Sequence, residues 1–233
     1  MPAGADGVPL LTTGVEFALK TARAAGADEA LIVMTPDKSD ISAYLGDGSR
    51  CGISLDYLRI SSSGSSPETV AAAGPVANGR DILLLFPDIL WTPTGLAGRL
   101  AGLRGNGADV ALALVPSTQG EKVDIVEMRP SGRISSLRVK PGAGATGLTW
   151  TCARWSPEFT ELLVSELPRF RKTLEDEPHI GHFVAFAIDS GWSVGGCSAP
   201  AGQALDIGTL DDYFRAWENF DAGMTEVCGR TEP

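Results

Sequence analysis

The chain has 233 residues, with 19 Lys and Arg against 29 Asp and Glu, and a formal net charge of −10. Its 43% hydrophobic content suffices for a sizeable core, which excludes a disordered or collagen-like chain and favours one large domain. No run of 18 apolar residues, no signal-peptide pattern and no basic surface is present, so neither membrane nor nucleic acid is an expected partner, and the expected location is the cytoplasm.

Helix-period and strand-like segments alternate through the first half. Thr13 to Ala25 carries Val15, Ala18, Leu19 and Ala22 on one helical face, with Gly26 as its stop. Ala30 to Met34 reads as a buried strand, Asp37 to Leu45 as a short helix closed by Gly46, and Ile53 to Leu58 as a strand. Ser61 to Ser66 reads as a loop, and Pro67 to Ala77 as a helix opened by proline. Ile82 to Phe86 is a strongly apolar strand, Thr94 to Leu103 a helix, and Val110 to Val115 another buried strand. This alternation predicts a mostly parallel sheet covered on both faces.

The second half predicts an antiparallel excursion. Val123 to Glu127 and Ile134 to Val139 flank a turn at Pro130-Ser131-Gly132, which reads as a hairpin. Thr146 to Arg154 is strand-like, Pro157 to Leu167 and Gly181 to Gly191 are helical, Trp192 to Cys197 is a strand, and Asp211 to Asp221 a last helix. Cys51, Cys152, Cys197 and Cys228 lie far apart without a CxxC spacing and read as reduced, buried thiols.

Ligands of open α/β sheets bind beyond the carboxyl ends of the strands. Asp88 follows the Ile82 to Phe86 strand, and Asp206 closes the short apolar run in ALDIGT. Each also reads as a turn former or helix cap, Asp88 before Trp91-Thr92-Pro93 and Asp206 before a helix opened by Gly208 and Thr209. As a pair they suit one Mg²⁺, which takes few protein ligands beside substrate phosphates. Lys140, held extended by Pro141, suits an anion or a solvated loop. His179 and His182 stand three apart on one helix without a nearby nucleophile, and read as surface or packing residues, with a metal pair as the alternative.

Gly26 to Ile60, with its run Tyr44-Leu45-Gly46-Asp47-Gly48 followed by Gly52 and Tyr57, resembles the sugar-1-phosphate nucleotidyltransferase family, in particular its glucose-1-phosphate thymidylyltransferase and uridylyltransferase branch. The order of later motifs matches as well: an apolar strand ending in Asp88, Lys140-Pro141, a strand starting near Gly147, and Leu205-Asp206-Ile207-Gly208-Thr209. The resemblance spans about residues 8 to 221. It implies an α/β, Rossmann-like mixed sheet, mostly parallel, in a single domain, with a nucleotide-binding half to about residue 115 and a sugar-binding half beyond it. The implied substrates are a nucleoside triphosphate and a sugar 1-phosphate, joined with release of pyrophosphate. By motif position, Asp88 and Asp206 would hold Mg²⁺, with Asp88 and Lys140 the catalytic pair. Lys140 would contact the sugar phosphate, Gly147 would let the backbone approach the sugar, and Thr69 would line the substrate site. Self-association, or assembly with an active homologue, is also implied.

The chain departs from that pattern at several positions. The family opens with a strand and a Gly-rich loop carrying Arg and Lys. Here Pro9-Leu10-Leu11 already looks like the segment before the first helix; Gly4 and Gly7 precede it, and no Lys or Arg occurs before Lys20. Serine, within Ser61 to Ser63, replaces the family's Gln, and Glu68 a glycine near Pro67, which would bring a carboxylate close to the base or phosphates. Val139 replaces the acid before Lys-Pro, and Pro87-Asp88 the Gly-Asp of the metal strand. These changes predict altered or impaired activity, and as an alternative a non-catalytic relative that binds ligand or regulates a partner.

Overall fold

Capping fixes where the first helix starts. Thr13 Oγ1 accepts from Glu16 N–H at 3.3 Å and Glu16 Oε2 accepts from Thr13 N–H at 3.0 Å, a reciprocal capping box. The computed structural model describes residues 13–213. In it, helix α1 (Gly14–Ala24) leads through strand β1 (Glu29–Met34) and helix α2 (Ser39–Leu45) to strand β2 (Ser54–Arg59). Helix α3 (Ser66–Ala77) and strand β3 (Ile82–Leu85) follow, then β4 (Ile89–Thr92), α4 (Leu96–Gly105) and β5 (Val110–Ser117). The second half holds β6 (Ile125–Met128), β7 (Ile134–Arg138), β8 (Gly147–Trp155), α5 (Pro157–Thr173), α6 (Ile180–Asp189), β9 (Val194–Ser198) and β10 (Gln203–Asp206). The loop and first strand discussed around Pro2 to Leu11, Cys228, and most of the Asp211 to Asp221 helix lie outside the described residues.

The main sheet runs β7-β6-β8-β5-β9, with β3 also paired to β8. Strands β3, β5, β6 and β9 share one direction, and β7 and β8 oppose it. The strands thus run mostly one way, yet because β8 lies between them, β5–β9 is the parallel neighbour pair of this sheet and the other pairs are antiparallel. The hairpin read at Pro130-Ser131-Gly132 is β6–β7, with Gly132 at φ +84°. Strands β1 and β2 form a separate parallel pair, and β4 and β10 a separate antiparallel one.

Strand β5 is buried on both faces, which explains its unbroken apolar reading. Val110, Leu112 and Leu114 pack with Phe159 and Leu163 of α5 and Phe183 and Val184 of α6. Ala111, Ala113 and Val115 face Phe17 of α1, Trp91 of β4, and Leu96 and Leu100 of α4. A third cluster joins Leu19 and Ala22 of α1 to Leu45, Ile53 and Leu55 around the β1–β2 pair. Cys51, Cys152 and Cys197 are buried and free, and burial pushes the Cys152 thiol up to about 12. No helix among the described residues is long and apolar enough to cross a membrane.

A bulge in β8 shapes the site. Ala113 pairs with Cys152 but Leu114 with Trp150, so Thr151 is the extra residue. This reverses the inside–outside alternation and puts Trp150 and Leu148 on the same face as Ala153 and Trp155.

Phe159 is fully buried in the largest cluster, whereas Val164 on the same helix is exposed. Phe159→Ala is expected to cost about 3–5 kcal/mol and Val164→Ala less than about 0.5 kcal/mol, read from urea unfolding midpoints.

Candidate functional site

Two strands too short to read in isolation bring Asp88 and Asp206 together. Strand β4 pairs antiparallel with β10, with Ile89 opposite Asp206. Asp88 therefore lies in a turn before a strand, which bears out the turn half of its alternative reading in FPDILWTP and corrects the helix-cap half. Ile207 N–H donates to the Asp88 backbone carbonyl at 2.8 Å, and Gly208 N–H donates to Asp206 Oδ1 at 2.8 Å. A Cβ on Gly208 would lie 3.1 Å from Asp206 Oδ1 and 3.4 Å from Asp88 Oδ2, so both carboxylates border the same space. The start of α1 abuts this point. A Cβ on Gly14 would lie 1.8 Å from the Pro87 carbonyl oxygen, a close approach that only glycine permits. A helix N-terminus, with its positive dipole end, thus lies beside the carboxylate pair.

A second element of the site is a cavity of about 310 Å³ at the carboxyl ends of β1 and β2, lined by Met34, Thr35, Lys38, Ser63, Ser65 and Thr69 among others. Ser65 caps α3, but its hydroxyl makes no capping bond and, among the described residues, is buried without a hydrogen-bond partner. An unmade hydrogen bond at a buried hydroxyl is costly, and here it borders a cavity that a ligand can enter. Ser63 Oγ lies 2.7 Å from Thr69 Oγ1. Glu68 Oε2 accepts from Gly64 N–H at 2.8 Å, and Glu68 Oε1 pairs with Arg171 at 2.7 Å. The Gly64 bond and the Arg171 guanidinium hold its carboxyl below the usual range. Glu68 thus ties α3 to α5.

Lys140 follows β7 in the left-handed region, at φ +38°, which corrects the extended backbone expected before Pro141: the turn out of β7 overrides that local preference. Its Nζ lies 3.2 Å from His179 Nε2, at the start of α6. Behind it, Asp124 is buried; its Oδ2 accepts from the Trp150 indole N–H at 2.9 Å, and its carboxylate also accepts from the Lys140 backbone N–H. Burial pushes the Asp124 carboxyl up, against these two donors and the two nearby histidines. The two histidine rings stack, and His182 Nδ1 accepts from His179 N–H at 2.9 Å. Gly147 opens β8 opposite Ser117, where a Cβ would lie 2.9 Å from Ile125 Cγ2. Phe86 meets Trp150 edge-on at 5.5 Å, so one aromatic pair joins the strand that leads to Asp88 to the residues behind Lys140.

The structure therefore joins Asp88 with Asp206, places Thr69 at the cavity, and gathers Lys140 with His179. Sequence reading missed Asp124, Trp150 and Ser65, and set His179 apart from Lys140. Asp124 sits in VDIV, where nothing in the local pattern marks it. Among the described residues no three His, Cys, Asp or Glu side chains form a metal-type group.

Gly181 lies in the first turn of α6, and a Cβ there would be 2.2 Å from Asp124 Oδ2. Gly181→Ala is expected to destabilise by about 1–3 kcal/mol through overpacking, although alanine is the better helix former. Adding Asp124→Ala should recover part of that loss in a double-mutant cycle of urea unfolding.

The sequence matches no protein-family model and no curated protein. Its fold does match solved structures. One is a structure assigned as a glucose-1-phosphate thymidylyltransferase from Bacillus anthracis in complex with sucrose, at TM-score 0.74 and 13% identity over 89% of this chain and 83% of that one. Two others are UDP-glucose pyrophosphorylase with UDP-glucose and in its apo form, each at TM-score 0.68 and 13% identity over 89% of this chain and 86% of theirs. With its mixed α/β sheet and helices on both faces, the chain has a fold like that of the sugar-1-phosphate nucleotidyltransferases.

Proposed function

We propose that this protein joins a nucleoside triphosphate to a sugar 1-phosphate and releases pyrophosphate. The observation that carries the reading is the convergence of Asp88 and Asp206 on one space beside the start of α1. In this reaction a sugar phosphate oxygen attacks the α-phosphorus, a new P–O bond forms, and the bond from the α-phosphorus to the bridging oxygen breaks with its electron pair leaving on pyrophosphate. Catalysis of such a step is positioning plus charge stabilisation.

The donors at the pair are hard carboxylate oxygens on fixed strand ends, which fit Mg²⁺. Asp88 and Asp206 would hold it, and when bound it would offset charge on the phosphates. Asp206 is steadied by Gly208 N–H, which orients one carboxylate oxygen. The cavity at β1 and β2 takes the nucleoside, with the Ser65 hydroxyl and Thr69 as contacts and Lys38 at its rim. Lys140 binds the sugar phosphate, and Gly147 at the start of β8 lets the backbone approach the sugar. Residues 13–115 thus serve mainly the nucleotide, and the later residues the sugar.

A second reading, ligand binding without turnover, is favoured by one observation: Val139 stands where the family pattern has an acid before Lys140-Pro141. The Mg²⁺ form is expected to release pyrophosphate from at least one pairing of a nucleoside triphosphate with a hexose 1-phosphate. Asp88→Ala and Asp206→Ala should each lower kcat by at least about 100-fold, the scale for one lost charge-stabilising group. Binding of both substrates without pyrophosphate release from any pairing would select the second reading.

A further inference from the structure

We infer that His179 acts with Lys140 as the phosphate-binding end of the sugar site, and that His179 takes up a proton when a phosphate monoester binds there. This rests on the sugar 1-phosphate reading of the site and adds to it a residue and a coupling.

Lys140 and His179 approach each other at 3.2 Å. An ammonium can only donate, so in this contact His179 Nε2 is the acceptor and the ring is neutral. The pair therefore presents one cation and one base. His182 cannot take the same part, because its Nδ1 already accepts from His179 N–H. The backbone beneath the exposed Lys140 side chain is held in place. Asp124 binds the Lys140 backbone N–H and the Trp150 indole, Lys140 is held at φ +38°, and α6 reaches Asp124 at Gly181, where no side chain would fit.

Five charged or titratable groups surround His179. Lys140 comes from the loop after β7, Asp124 from the segment before β6, Asp176 and Glu177 from the segment before α6, and His182 from α6 itself. Burial first, and then Lys140, holds the His179 imidazole below its ordinary value, and the three carboxylates oppose this. A phosphate that reaches Lys140 also reaches the Nε2 lone pair. Two acceptors facing each other repel, and a proton on Nε2 turns that repulsion into a charge-assisted hydrogen bond. The start of α6 adds its positive dipole end to the same place. By linkage, an anion that raises the His179 pKa by one unit binds tenfold more tightly to the protonated form.

The chain has only two histidines, so imidazole ¹⁵N shifts of the histidine-labelled protein, assigned with a His182→Gln variant, report His179 directly. With saturating glucose 1-phosphate or inorganic phosphate, the His179 titration midpoint is expected to rise by at least one pH unit. Glucose 1-phosphate should bind at least tenfold more tightly below the free midpoint than above the bound one. His179→Gln, which meets the same ionisation of the ligand, should lose that excess. If glucose 1-phosphate binds and leaves the His179 midpoint in place, the inference is overturned and the sugar 1-phosphate reading stands. If inorganic phosphate shifts His179 and glucose 1-phosphate does not bind, the inference holds and the substrate reading fails. No shift and no binding with either ligand overturns both.

Discussion

Strand β8, running against its neighbours, is the constraint that the rest of the molecule depends on. One edge of it pairs with β5 over eight positions, and the other pairs with β3 and with β6. Each functional group is placed by its distance along that strand. Gly147 starts it, Trp150 lies within it, Asp88 follows the strand paired to its far half, and Lys140 follows the hairpin paired to its near end. The Thr151 bulge then sets which face Trp150 takes, and so whether its indole meets Asp124. The clusters on the two faces of the sheet are thereby fixed to one ruler, since backbone hydrogen bonds leave little freedom of register.

Charge placement follows from that frame. A chain of net charge −10 repels phosphates unless cations stand where they are needed. Several are engaged elsewhere: Arg104 and Arg154 hold Asp81, Arg171 holds Glu68, and Arg80 holds Glu29. Lys38 and Lys140 stand at the cavity and at His179. The acid that the family pattern places before Lys-Pro is Val139 here, and the buried carboxylate near the Lys140 backbone is Asp124, from the segment before β6.

Much of the fold was legible because most elements carry their own period. The α1 face, the apolar β5 run and the β6–β7 turn each announce themselves within ten residues. What escaped reading depends on partners distant in sequence. Ile89–Thr92 has four residues and becomes a strand because Gln203–Asp206 lies beside it. The Thr151 bulge has no local mark, since it exists only relative to β5. Asp88, Asp206 and Lys140 were visible as types at element ends. Asp124 and Ser65 gain meaning only through burial, which pattern alone does not report.

The separateness of the β1–β2 pair has a consequence for breathing motions. Among the described residues no ladder joins it to the six-stranded sheet, and it is held through the side chains of α1 and α2 and through Leu83 and Leu85. Side-chain contact yields more readily than a shared ladder, so amide protons of β1 and β2 exchange through local opening well before those of β5 and β8. The cavity with Ser65 borders the looser unit, while Lys140 and Trp150 belong to the firmer one. A molecule that reaches from one to the other ties the loose unit to the firm one, and its arrival slows exchange at positions it never touches.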